Sequence, residues 1–125
     1  MGLFKKKNND FVATKTFYGG SLQYNDEQNI IKITNGFKKD LIPVNTITSA
    51  TVAMNGTHYD LNDLKTIRNG IISGTFTKNI NNIQLCIKAE KNYVLPLTIG
   101  KQSADKAERI LNSANQMLSF ILDLI

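Results

Sequence analysis

The chain has 125 residues, 42% of them hydrophobic and 20% charged, with a formal net charge of +5 at pH 7. This length supports one domain with its own core, and no apolar run approaches the ~20 residues that a transmembrane helix needs. A single cysteine, Cys86, excludes an internal disulfide, and with His58 as the one imidazole it excludes a cysteine-based metal site.

The first ten residues, MGLFKKKNND, lack the apolar core of a secretory signal, so we expect a cytoplasmic protein. Residues 1–10 are predicted to form a flexible basic leader, because they bury too little to become ordered, and residues 11–125 a single domain. The leader holds three candidate contacts to an anionic surface such as the inner face of the membrane: Lys5, Lys6 and Lys7. A leader that only aids solubility is the preferred interpretation, and the contact to an anionic surface is the alternative.

Strand patterns begin directly after the leader. FVATKTF predicts a weak strand that Gly19-Gly20 ends, and SLQY and IIKIT flank a polar turn as the arms of a hairpin. The next turn opens with Asn35-Gly36, a pair suited to positive φ. These segments indicate an antiparallel meander.

The segment LIPVNTITSATVAM predicts a short strand at 41–42, a bend, and a longer strand at about 46–54. Proline lacks an amide donor, which restricts Pro43 to a strand edge, a bulge or a corner.

Two interpretations remain open for NGTHYDLNDLKTIRNG. In one, Asp60 caps a single helical turn that Asn69-Gly70 ends, and in the other the segment is a long irregular loop. His58 and Asp60 would share one face of an extended segment, but a catalytic dyad there lacks a nucleophile. A loop histidine is therefore the preferred interpretation.

Three strands are predicted next in an antiparallel meander: IISGTFT, IQLCIKAE and YVLPLTI. Pro96 marks an edge position or a bulge in the last of them. In the middle strand Cys86 alternates with apolar neighbours, which places it on the face opposite the core. No base accompanies it in the pattern, so we do not expect a nucleophilic thiol.

The final segment predicts a C-terminal α-helix over about residues 103–122. Ser103 is its expected N-cap, and Asp105 lies favourably in the first turn of the helix dipole. Apolar residues recur at spacings of three and four along it: Ala107, Ile110, Leu111, Ala114, Met117, Leu118, Ile121 and Leu122.

The order of these elements carries a family resemblance. SLQYNDEQNIIKITNGFKKDLIPVNTITSATV resembles the opening of a small bacterial domain of the pleckstrin-homology (PH) superfold, with a hairpin, a third strand ending in "IP" and an "ITSATV" strand. NIQLCIKAEKNYVLPLTI, followed by ADKAERILNSANQML, resembles that family's last hairpin and capping helix. The resemblance, over about residues 21–122, implies an α+β, mostly-β fold: a seven-stranded antiparallel barrel or orthogonal sandwich capped by the C-terminal helix.

Lipid-binding members of the PH superfold carry lysines and arginines in the loop between their first two strands. The corresponding loop here is NDEQN, residues 25–29, whose acids repel phosphate groups. Phosphoinositide binding at that site is therefore not expected. The nearest basic residues, Lys38 and Lys39 in the following turn, are further candidate contacts to an anionic surface.

We expect a binding module rather than an enzyme, without catalytic residues, metal or cofactor. The expected partner is a protein, bound at an edge strand within FVATKTF or YVLPLTI. A second copy of the chain is one candidate, through those edges or through Phe120 and Ile125 on the helix. The asparagine- and lysine-rich composition is typical of an AT-rich bacterial or phage genome.

Two alternatives to protein recognition stay open. The first is peripheral attachment to the membrane through the basic leader. The second is weak nucleic-acid binding, which the scattered basic residues and the lack of a known nucleic-acid-binding motif disfavour.

Overall fold

The computed structural model describes residues 11–74, 82–98 and 103–125; the predicted leader lies outside them. Over the described residues the chain forms eight β-strands and two α-helices. Their bounds are β1 (Lys15–Phe17), β2 (Leu22–Asn25), β3 (Ile30–Asn35), β4 (Lys38–Pro43), β5 (Ser49–Met54), β6 (Thr57–Tyr59), α1 (Leu61–Ser73), β7 (Ile83–Lys88), β8 (Asn92–Thr98) and α2 (Ala104–Leu124).

The strands form two antiparallel sheets of four strands each. Sheet 1 has the order β1-β2-β3-β4, and sheet 2 has the order β6-β5-β7-β8. The predicted α+β, mostly-β fold with a C-terminal helix is confirmed. The prediction of seven strands is wrong, because the described residues contain eight, and the two sheets do not close into a barrel. Strand β6 lies in the segment that the sequence left open between a helical turn and a loop.

One contiguous apolar core joins both sheets and both helices. In the strands it follows the period of two that extended backbone imposes. Ile31 and Ile33 of β3 are buried while Lys32 between them is half-buried, and Leu85 and Ile87 of β7 are buried on either side of Cys86. The predicted placement of Cys86 opposite the core is therefore confirmed.

Both prolines lie in edge strands, as predicted. Pro43 is the last residue of β4, at the edge of sheet 1, where the chain turns into a short 3-10 turn. Pro96 lies in β8, at the edge of sheet 2, beside a shift in register: Gln84 pairs with Pro96, whereas Ile83 pairs with Thr98. A bulge removes the need for regular pairing at the residue that cannot donate.

Helix α1 differs most from the prediction. Asp60 does cap it, accepting a hydrogen bond of 2.9 Å from the Asp63 backbone N–H. The helix does not end at Asn69-Gly70 but continues to Ser73, for a total length of 13 residues, and Gly74, with φ of +80°, closes it. The residues expected to begin the IISGTFT strand therefore form its last turn. Helix α1 packs against α2 and β6, and this tertiary contact overrides the strand preference of two adjacent isoleucines.

Helix α2 agrees with the prediction at both ends. Ser103 is its N-cap, accepting from the Lys106 N–H at 3.4 Å, and the helix extends two residues past the expected end, to Leu124. It packs against β5, β7 and β8 and also against α1. Its predicted apolar stripe supplies seven buried side chains: Ala107, Ile110, Leu111, Ala114, Met117, Leu118 and Ile121.

Candidate functional site

A groove of about 330 Å³ runs between the edge strand β1 and helix α2. Strand β1 is an edge strand of sheet 1, because it pairs only with β2. The lining residues of this β1-α2 groove are Lys15, Phe17, Asn115, Gln116, Ser119, Phe120 and Asp123. The groove therefore combines residues of an edge strand, two aromatic rings and polar helix residues.

The aromatic wall of the groove is a cluster around Phe120. The centroid of its ring lies 5.0 Å from that of Phe17 and 5.2 Å from that of Tyr24, the second pair in an edge-to-face arrangement. Lys15 Nζ lies 5.7 Å and 5.8 Å from the centroids of the two phenylalanines. Phe120 is thus held against sheet 1 and is half-buried. Such ring pairs stabilise by about 0.5–1.5 kcal/mol each beyond their burial.

Asn115 lies on the helical wall of the same groove. Its Oδ1 atom is buried and accepts no hydrogen bond from the described residues. A buried acceptor without a donor costs about 1–3 kcal/mol, so the groove contains a polar group that a donor would stabilise.

A second candidate surface lies at the turn between β3 and β4. Phe37 at this turn is fully exposed, at 105% relative exposure, whereas Val12, the next most exposed large apolar residue among those described, reaches 64%. Gly36, with φ of +64°, permits the tight turn that projects the ring outward. Lys38 and Lys39 follow it, and both are exposed.

The turn between β7 and β8 lies beside this phenylalanine turn. A cleft of about 380 Å³ between the two sheets is lined by Ile33, Asn35, Lys38, Asp40, Lys91, Asn92, Tyr93 and Val94. Lys38 and Lys91, distant in sequence, therefore line the same cleft. We call Phe37, Lys38, Lys39 and Lys91 the hairpin-tip surface. Residues 35–40 and 88–92 together hold four lysines against Asp40 and Glu90, a formal balance of +2.

On the outer face of sheet 2, a cavity of about 430 Å³ is lined among others by His58 and Cys86, the two side chains that were considered from the sequence and rejected as catalytic groups. His58 Nδ1 lies 2.9 Å from Thr51 Oγ1, while Asp60 caps α1, so His58 and Asp60 do not form a pair. Burial raises the pKa of the Cys86 thiol, although a backbone hydrogen bond at Ala53 lowers it in part. The raised pKa disfavours the thiolate that a nucleophile requires.

The structure describes only some of the residues that were predicted to contact an anionic surface. Lys38 and Lys39 are the first two residues of β4, not part of a turn, and belong to the hairpin-tip surface. The three leader lysines, Lys5, Lys6 and Lys7, lie outside the described residues. Sequence reasoning did not assign Phe37 or Lys91 to a surface with Lys38 and Lys39. A large apolar residue directly after Asn35-Gly36 was the available signal for the first.

The acidic turn at residues 25–29 lies at the end of sheet 1 away from the hairpin-tip surface, because β3 runs from one turn to the other. Its amide side chains hold the turn. Asn25 donates from Nδ2 to the Val12 carbonyl at 2.7 Å and accepts at Oδ1 from the Gln28 N–H at 2.6 Å. Tyr24 donates its hydroxyl to Asn29 Oδ1 at 2.7 Å.

No family model, curated protein or solved structure matches the chain at a significant level. Within the described ranges, no helix is long and apolar enough to cross a membrane. The same residues contain no cluster of three or more His, Cys, Asp or Glu side chains that could hold a metal ion.

Proposed function

We propose that this chain is a non-enzymatic binding module of PH-like fold that recognises an extended segment of a partner protein in the β1-α2 groove. The observation that carries the proposal is the groove itself, in which half-buried Phe17 of the edge strand β1 lies beside half-buried Phe120 of α2. An extended segment beside β1 gains backbone hydrogen bonds, and an apolar side chain on it contacts the two rings. The proposed compartment is the cytoplasm.

The PH-like assignment draws support from the arrangement of the elements. Two antiparallel sheets are followed by a C-terminal amphipathic helix that packs on their shared core. Two features depart from that pattern: helix α1 is inserted between β6 and β7, and sheet 2 has four strands. Fold resemblance carries no ligand with it, so the proposal rests on the groove.

Strand β8, the other edge that the sequence proposed for partner binding, is less suited to it. Pro96 lacks an amide donor, and the bulge beside it interrupts the regular spacing of the backbone groups. The Leu97 carbonyl is already occupied, since Tyr18 donates its hydroxyl to it at 2.6 Å. These features protect the C-terminal half of β8 from strand addition.

Peptide selection followed by mapping tests the groove. A random peptide library is selected against the full chain, and a selected peptide is titrated into the ¹⁵N-labelled protein. We expect amide shifts to change in Lys15–Phe17 and around Ser119. Ser119→Arg fills the groove and should weaken binding at least about tenfold, the loss typical of a main interface contact. Ser113→Arg, on the same helix but outside the lining, is the matched control.

The outcomes separate the possible occupants. Shifts that map elsewhere, or equal binding by the two arginine variants, would contradict the groove proposal. A dimer at micromolar concentration in sedimentation, dissociated by Ser119→Arg and not by Ser113→Arg, would make a second copy of the chain the occupant.

A further inference from the structure

Beyond the groove, we propose that the hairpin-tip surface docks onto an anionic lipid bilayer, with the Phe37 ring entering the interfacial layer and Lys38, Lys39 and Lys91 contacting lipid phosphates. The first argument is exposure. A phenylalanine at 105% exposure buries no apolar surface against the folded protein, so its ring is free to enter a lipid layer. An aromatic ring beside lysines is the composition of elements that lie in a membrane interface.

The second argument is the distribution of charge along sheet 1. Lys38 and Lys39 lie at the β3-β4 end, and Asp26 and Glu27 lie exposed at the β2-β3 end. An anionic surface attracts the first end and repels the second, which orients the molecule with Phe37 towards the lipid. Asp40 does not oppose this contact strongly, because it is half-buried in the cleft between the sheets. Glu90 is the one exposed acid at the two tips.

The third argument concerns shape. A specific protein partner covers roughly 800 Å² on each side of an interface. Phe37 stands alone at a turn, and its chain neighbours Asn35, Gly36 and Lys38 add no apolar area around it. A bilayer interface accepts a single projecting ring without a matching surface. The observations therefore favour lipid over an acidic protein.

Tryptophan fluorescence tests the insertion directly, because the chain contains no tryptophan. Phe37→Trp places one reporter at the tip of the full chain. With vesicles of phosphatidylcholine and phosphatidylglycerol we expect a blue shift and quenching by brominated lipid, and with phosphatidylcholine alone much less of both. Ile72→Trp is the matched control, since Ile72 is an exposed apolar residue on α1, at 63% exposure. Its emission should not change.

Vesicle cosedimentation tests the charges. Phe37→Ala should lower partitioning about tenfold. Lys38→Gln with Lys39→Gln should lower it about thirtyfold, since each lysine near an anionic surface contributes a factor of roughly five. Lys65→Gln with Lys106→Gln removes the same charge from exposed helix positions and should change partitioning by less than about threefold.

Three results would overturn the proposal. The first is that the protein does not partition into anionic vesicles. This result covers the case in which the hairpin-tip surface binds an acidic protein and not lipid. The second is partitioning of the Phe37→Trp variant with no change in its emission, abolished by neutralising Lys5, Lys6 and Lys7, which assigns binding to the leader. The third is an equal loss of partitioning in the hairpin-tip lysine variant and the helix lysine variant. None of them bears on peptide binding in the β1-α2 groove, so the two proposals fail separately.

Discussion

The two helices are both amphipathic, yet they depend on the rest of the molecule to different degrees. Helix α2 packs on three strands of sheet 2 and buries seven side chains, so most of its contacts exist whether or not α1 is formed. Helix α1 packs mainly on α2 and buries only Leu64 and Ile67 among its described residues. The comparison indicates that the surface on which a helix packs, together with its amphipathic pattern, governs the stability that it contributes.

The largest expected effect separates a buried leucine on each helix. Leu118→Ala on α2 should lower the free energy of unfolding by about 4 kcal/mol, because the cavity opens in the centre of the core. Leu64→Ala on α1 should cost about 2 kcal/mol, because the helix can settle onto α2 and fill part of the space. Urea denaturation followed by circular dichroism measures both. Equal losses of unfolding free energy in the two variants would contradict the difference inferred between α1 and α2.

The cap of α1 gives the next effect. Asp60→Ala removes the 2.9 Å bond to the Asp63 N–H and should cost about 1 kcal/mol. Hydrogen exchange sharpens the result: amides of α1 should lose protection while those of α2 keep theirs, because α1 opens locally. Asp60→Asn, which retains an acceptor, should restore most of the protection. Uniform loss of protection in both helices would show that they unfold as one unit.

The ion pair between the helices should contribute less. Arg68 Nε lies 2.7 Å from Glu108 Oε2, with the two side chains about a third and a quarter exposed. A double-mutant cycle with Arg68→Met and Glu108→Gln should give a coupling of at most about 1 kcal/mol, since solvent screens the pair. The coupling should shrink as salt is raised. A coupling that salt leaves unchanged would instead indicate a desolvated contact that anchors α1.

The smallest effect is expected at the cap of α2. Ser103 accepts from the Lys106 N–H at 3.4 Å, a long and weak bond, so Ser103→Ala should cost only about 0.5 kcal/mol. Thermal unfolding measures it, with Ser113→Ala as a control on the same helix. A loss larger than that of Asp60→Ala would mean that α2 depends on its first turn more than its packing indicates.

The same contrast explains what the sequence could predict of the fold. Helix α2 was predicted to within two residues because a sustained apolar stripe is visible in the sequence itself. Helix α1 was not, because its apolar residues are few, Gly70 resembles a stop signal and Ile71 favours a strand. Its stability comes from α2, which a local pattern cannot contain.

The candidate surfaces also contain some residues that the sequence could predict and others that it could not. Lys38 and Lys39 were named from sequence, because a basic pair beside a turn is a local feature. The approach of Lys91 to Lys38 depends on how two hairpins from different sheets meet, and the contact of Phe120 with Phe17 and Tyr24 depends on where α2 lies. Such contacts arise from tertiary structure, so no local sequence pattern predicts them.

The position of α2 after every strand that it covers has a consequence for synthesis. While the chain emerges from the ribosome, both sheets can pair, but the apolar face around Val52 and Leu85 remains open to solvent until the last stripe residues have left the exit tunnel. Helix α1 emerges earlier than α2, its main packing partner, and until α2 follows it has mainly β6 to pack against. The nascent protein therefore passes through a stage in which its sheets are formed and its core is uncovered, when a chaperone has the most to bind.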